Sequence, residues 1–150
     1  METKHEAKND EKTIREMIHA WSDAVRNGDS ARAVEPMAAK VTSYELRPPL
    51  EYKDAAARNP KDMDEWFATW DGPLNIEMRE PTILVDGALA VAFGLSHMRG
   101  KKRGAGPVDM WYRTTLAFQR QRGKWKVVHE HGSLPMLMDG SEKAATQLKP

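Results

Sequence analysis

The residues best suited to chemistry lie in the second half of this chain. His129 and His131 are two apart in GKWKVVHEHGS, and residues two apart on a strand share a face. Trp125, Val127, His129, His131 and Ser133 would line one side of a strand, with Glu130 on the other. Asp109, Trp111, Arg113 and Thr115 alternate in the same way, as do Leu89, Val91, Phe93, Leu95 and His97. Adjacent antiparallel strands bring same-face side chains together. If these faces coincide, imidazoles, a carboxylate and a guanidinium gather over one apolar wall, which is how small-molecule sites are built. One base and one polarising donor in such a site suffice for proton transfer. A His-x-His strand can also ligate zinc, iron or manganese, provided His97, Asp109 or Glu45 supplies a third donor. The plain alternative is a structural Arg113–Asp109 ion pair.

Composition removes several other chemistries. The chain has 150 residues and no cysteine, so disulfides, thiolate metal sites and a cysteine nucleophile are excluded together. Lys plus Arg number 23 against 22 Asp plus Glu, and a balanced charge recruits neither nucleic acid nor anionic lipid. The two basic clusters, Arg99 to Arg103 and Arg120 to Lys126, fall at opposite ends of one predicted strand rather than on a common phosphate-binding face. No apolar run has the length of a membrane span, and the charged start METKHEAKNDEK is unlike a signal peptide, so a cytoplasmic location is expected. No Gly-x-Ser-x-Gly, P-loop or dinucleotide fingerprint is present. Met63, Met78, Met98, Met110, Met136 and Met138 suit either core gaps or a soft pocket wall.

The elements that must position these residues follow from periodicity. Residues 1–12 are charged and nearly without apolar partners, which predicts a frayed lead-in to a single domain spanning 1–150. Ile14, Met17, Ile18, Trp21 and Val25 form one helical stripe, closed by Asn27-Gly28. Asp29 and Ser30 can cap a short second helix through Val34, and Pro36 breaks it. VTSYEL (41–46) reads as a strand ended by Pro48-Pro49. Helical pieces follow over 54–58 and 60–70, the second with Pro60 in its first turn and with Met63, Trp66, Phe67 and Trp70 on one face. Four strands, 74–85, 88–98, 108–121 and 124–131, are joined by glycine-containing turns into an antiparallel meander. Helices followed by a meander predict an α+β domain with helices packed on one face of a curved sheet. The tail, 138–150, is polar and weakly patterned.

Several strings carry a resemblance: the first helix ending in NGD, the strand followed by PPL, the helix ending in WDGP, DMWYRTTLAF and GKWKVVHEHGSLP. From about Thr13 onward the chain resembles the SnoaL-like, ketosteroid isomerase-like branch of the nuclear transport factor 2 superfamily. The resemblance implies a cone-shaped, cystatin-like α+β barrel, a deep pocket, and a homodimer packed through the outer face of the sheet. In ketosteroid isomerase-like members a first-strand carboxylate is the general base, and the matching position is Glu45. Desolvation raises the pKa of a carboxylate in an apolar pocket and suits it to take a proton alpha to a carbonyl. The isomerases stabilise the enolate with a first-helix tyrosine and a protonated aspartate. The first helix here offers Trp21 and no tyrosine, leaving His97, His129, His131, Tyr44 and Arg113 as replacement donors. Tyr44 and Glu45 face opposite ways on a strand, and Glu45 is taken as the inward one.

The expected activity is cofactor-independent proton transfer on a small hydrophobic carbonyl compound, of isomerase, lyase or polyketide cyclase-like type. Glu45 would be the base, His129, His131 and Arg113 would polarise the carbonyl, and Asp109 would orient Arg113 or an imidazole. Trp66, Trp70 and Trp111 would wall the pocket, with Tyr44 and His97 beside the ligand. A non-catalytic binding module of the same fold and a metal-dependent enzyme using His129 and His131 are the alternatives.

Overall fold

The computed structural model describes residues 3–150. Helix α1 (Lys4–Arg26) precedes a short α2 (Ser30–Val34), strand β1 (Met37–Tyr44), a two-residue strand β2 (Tyr52–Lys53), a single 3-10 turn (Asp54–Arg58) and α3 (Pro60–Phe67). Four long strands follow: β3 (Asn75–Asp86), β4 (Leu89–Lys102), β5 (Gly106–Gln121) and β6 (Lys124–Ser133). The result is the α+β class expected, with one six-stranded sheet in the order β2-β1-β6-β5-β4-β3. β1 joins β6 in parallel; every other pairing is antiparallel. The sheet is curved but open, ending on β2 and β3 rather than closing as a barrel.

Residues 4–12 form the first turns of α1, not a frayed lead-in. Thr3 and Glu6 make a reciprocal capping box, Glu6 N–H donating to Thr3 Oγ1 (3.1 Å) and Thr3 N–H to Glu6 Oε2 (2.7 Å). Such a cap contributes about 0.5–2 kcal/mol. Asp10 then ties the helix to the far end of the sheet, accepting from Trp125 Nε1 (3.0 Å) and pairing with Arg120. The charged segment is ordered by polar partners at sequence separations of over a hundred residues, which no local apolar count registers. The tail is also anchored in part: Ala145 is buried, and Met136 bridges Ala144.

The predicted stripe on α1 packs as expected. Ile14 and Ile18 join Ile83, Ala92, Phe118, Trp125 and Val127 in the main core. Val25 joins Trp70, Leu74, Ile76 and Met98 in a second cluster. Gly100 permits the second: a Cβ there would stand 2.9 Å from Trp70 Cε3, so only glycine lets the indole lie flat on β4. The β5–β6 hairpin turns on Arg122-Gly123, both in the left-handed region (φ 51° and 79°), as a two-residue turn matching strand twist requires.

Candidate functional site

Strand parity decides what the concave side of the sheet presents. The even-numbered residues of β4 and β5 face inward: Ser96 and Met98 on one strand, Met110, Tyr112, Thr114, Leu116 and Phe118 on the other, all lining a cavity of about 390 Å³. In β6 the register with β5 runs from Phe118–Val127 directly to Ala117–His129. Val128 is therefore an inserted residue, a β-bulge that reverses which residues point inward. Trp125 and Val127 are inward before it, Glu130 and Gly132 after it. Glu130 lies opposite Leu116 on one side and Ser43 of β1 on the other.

Glu130 is the inward carboxyl of this cavity. Fully buried Ser43 donates to Glu130 Oε1 at 2.7 Å. Burial pushes the carboxyl above its ordinary range; the Ser43 hydrogen bond opposes the shift, and the charge of Glu45 adds to it. Tyr112 lies along the same wall, its ring lying over Gly132. Burial pushes its hydroxyl up to about 12, against hydrogen bonds with Ser96 and Thr114 that lower it. Ser96 and Thr114 are themselves linked at 2.7 Å. Tyr112 thus stays a neutral donor across the physiological range.

The cavity mouth is built by the segment after β1 and by α3. Tyr44, Glu45, Leu46 and Arg47 line one side, Asn59, Asp62, Met63 and Trp66 the other. Arg47 Nε donates to Glu45 Oε2 at 2.6 Å, and its guanidinium lies 4.5 Å from the Tyr52 ring. Glu45 and Tyr44 both reach the lining, because the chain leaves the extended conformation after Tyr44 and strict alternation stops there.

Of the residues singled out by type and spacing, Glu45, Tyr44, Trp66 and His131 line the cavity, His131 at its exposed rim. The others lie elsewhere. His97, Asp109 and Trp111 do converge, but on the outer face. His97 Nε2 meets Asp109 Oδ1 at 2.6 Å, and the imidazole stacks on Trp111 at 4.2 Å. The hydrogen bond to His97 draws the Asp109 carboxyl below its ordinary range. Arg113 is exposed on the same face, opposite Leu95 and Ser133, and among the described residues it makes no ion pair with Asp109, which pairs with His97 instead. The bulge turns His129 outward, where its Nδ1–H donates to the Thr42 carbonyl (2.7 Å) and its ring meets the edge of Tyr44 (4.7 Å). Trp70 is a core residue with Lys102 Nζ 4.5 Å from its ring, not a cavity wall. Among the described residues no three His, Cys, Asp or Glu side chains gather to hold a metal, so His129 and His131 gain no third ligand.

A family model described as a SnoaL-like domain matches residues 14–137. The chain belongs to the SnoaL-like domain family. No protein of curated function matches it by sequence. Among solved structures it is similar to an NTF2-like protein of unknown function from Pseudomonas putida KT2440, with 28% identity and a TM-score of 0.83 over 95% of this chain and 98% of that one. It is also similar in fold to an NTF2-like protein from Streptomyces avermitilis provisionally described as a dehydratase (15% identity, TM-score 0.73, 87% and 99% covered). A provisionally described ketosteroid isomerase from Shewanella frigidimarina aligns at 24% identity and a TM-score of 0.62 over 79% and 92%. No helix among the described residues is long and apolar enough to cross a membrane.

The residues that sequence reasoning passed over in this SnoaL-like chain are Glu130, Tyr112, Ser43, Ser96 and Thr114. One signal was present. In DMWYRTTLAF the face Met110, Tyr112, Thr114, Leu116, Phe118 is more apolar than Asp109, Trp111, Arg113, Thr115, and the more apolar face of a half-buried strand is the inner one. The bulge at Val128 leaves no comparable mark in the sequence.

Chemically, the inner wall offers a carboxyl poised to exchange a proton, a neutral hydroxyl donor, and an apolar enclosure that strengthens both. Met17, Met37, Met63, Met78, Met98 and Met110 line the remainder, giving an adaptable, polarizable surface.

Proposed function

We propose that this SnoaL-like protein is a cofactor-independent enzyme that transfers a proton beside the carbonyl of a small hydrophobic molecule, in the manner of an isomerase, lyase or cyclase. One observation carries the reading: Glu130, a carboxyl raised by burial, faces an apolar cavity that also holds the neutral Tyr112 hydroxyl. Glu130 takes the proton from the carbon next to the carbonyl, and Tyr112 donates to the oxygen on which charge develops. Glu130 then returns the proton to a neighbouring carbon. Glu45, the base expected from the resemblance, is held by Arg47 at the mouth and orients the ligand there.

The test is solvent deuterium exchange at the alpha carbon of a panel of hydrophobic ketones, followed by proton NMR. The wild-type protein accelerates exchange for at least one of them. Glu130→Gln lowers that acceleration by about 10²–10⁴-fold with the fold intact. Unchanged exchange in the variant removes Glu130 from the mechanism, and no acceleration with any ketone favours a binding module.

We further propose that a second copy of the chain covers the outer face of the sheet. The family resemblance supports this, as do the exposed Leu84, Leu89, Phe93 and Leu95 on that face. Sedimentation is expected to give a dimer for the wild type and a monomer for Phe93→Asp. A wild-type monomer would contradict it.

A further inference from the structure

The charges facing the cavity are unbalanced. Of Asp, Glu, Lys and Arg, its lining has Glu45, Asp62, Glu130 and Arg47 and no lysine, with His131 at the rim. The one cation is already engaged. Arg47 Nε is held by Glu45, one face of its guanidinium lies over Tyr52, and its second nitrogen reaches Asp62 only at 3.9 Å. Asp62 has otherwise a long 3.5 Å hydrogen bond from Asn59. Deeper in, Glu130 has a hydroxyl partner and no cation within salt-bridge distance among the described residues. Glu45 acts on Glu130 as a like charge, and both carboxyls line the same cavity.

An anionic ligand would meet three carboxyls and one guanidinium already paired with Glu45. A neutral one would leave the mouth carboxylates without a purpose in binding. Trp66 and Tyr44 line the same opening, and aromatic rings are partners for a cation. We infer that the ligand of this cavity is an amphiphilic cation, with a hydrophobic body for the methionine-lined interior and a protonated or quaternary amine held at the mouth by Asp62 and Glu45. This rests on the cavity being a ligand site and names its ligand class; it does not require proton transfer. A carbonyl substrate of this class would carry its amine on the side away from Glu130, leaving the carbonyl to Tyr112.

Three ligands of one shape separate the possibilities: phenethyltrimethylammonium, its uncharged carbon isostere neohexylbenzene, and the anion phenylethanesulfonate. Their affinities are measured by NMR titration of the full chain, following the indole resonances of the cavity tryptophans Trp21 and Trp66. The cation is expected to bind about tenfold or more tightly than the isostere, and the sulfonate most weakly. Asp62→Asn, and separately Glu45→Gln, should each reduce the ratio of cation affinity to neohexylbenzene affinity severalfold. The second variant guards against local unfolding of α3 in the first. Equal or tighter binding of the isostere overturns the inference while leaving the proton-transfer reading in place. Tighter binding of the sulfonate, or no binding by any of the three, overturns it too. Conversely, a cation preference in a protein whose Glu130→Gln variant still exchanges deuterium at the wild-type rate breaks only the mechanism.

Discussion

The two faces of the central sheet each carry a carboxyl within a polar cluster, and the two carboxyls have opposite fates. On the outer face of the single chain His97, Asp109 and Trp111 form a hydrogen-bonded, stacked group that is partly exposed. On the inner face Glu130, Ser43, Tyr112, Ser96 and Thr114 stand at a largely apolar cavity. Outside, a hydrogen bond moves a carboxyl below its ordinary value; inside, burial moves one above it. Residue type alone does not make a site: solvent exclusion does, because a shifted carboxyl and an unhydrated donor act on a ligand in ways their exposed counterparts cannot.

The sharpest way to break this comparison is to disable each carboxyl in turn. Glu130→Gln should lower alpha-proton exchange by about 10²–10⁴-fold, whereas Asp109→Asn and His97→Gln should leave it within about twofold, the rate ratio expected of surface changes worth about 0.5 kcal/mol or less. Equal losses would put the chemistry, or its control, on the wrong face. Tyr112→Phe comes next. Deleting the donor while keeping the ring should cost about 10²-fold in turnover, read as a lower kcat at little changed KM.

Stability offers a matched pair. Phe118 and Phe93 sit on neighbouring strands, 1% and 42% exposed. Phe118→Ala should cost about 3–5 kcal/mol in urea unfolding, and Phe93→Ala about 1 kcal/mol or less in the monomer. Similar costs would mean that the outer face is covered as completely as the core.

The smallest effect is the pH dependence, and its sign differs between the faces. Glu130 has a folded pKa above its ordinary 4.5. The folded chain then holds the proton more tightly than the unfolded one, so this residue's contribution to stability falls as pH rises from the ordinary value through the folded one. Asp109 is lowered from 3.8, so its contribution is present above that value and is lost as pH falls through the folded one. Unfolding curves at several pH values should show Glu130→Gln gaining on the wild type as pH rises, and Asp109→Asn losing to it. The same sign for both would contradict the burial assigned to one of them.

Much of the scaffold was legible in the sequence. The α1 stripe, the Pro60 helix start and the glycine turns of the meander each rest on local periodicity or turn chemistry, and the structure has all three. The grouping of His97 with Asp109 and Trp111 was conditional on their strand faces coinciding, and the hairpin register makes them coincide. Which face they shared was not legible, because orientation depends on where helices α1 and α3 pack. The histidines failed for a different reason. One inserted residue, Val128, exchanges His129 for Glu130 at the cavity wall, and bulges are set by pairing with neighbouring strands rather than by the strand's own composition. The ordering of residues 4–12 likewise depends on Asp10 reaching Trp125 and Arg120, a distance invisible to local patterning.

The most direct test is a carbon NMR titration of the glutamate side-chain carboxyls, assigned by comparison with Glu130→Gln. One carboxyl should titrate clearly above the others, vanish in Glu130→Gln, and move higher still in Ser43→Ala, which removes its stabilising donor. If the resonance lost in Glu130→Gln instead titrates in the ordinary range with the exposed glutamates, Glu130 faces water rather than the cavity, and the assignment of the inner face as the functional one fails.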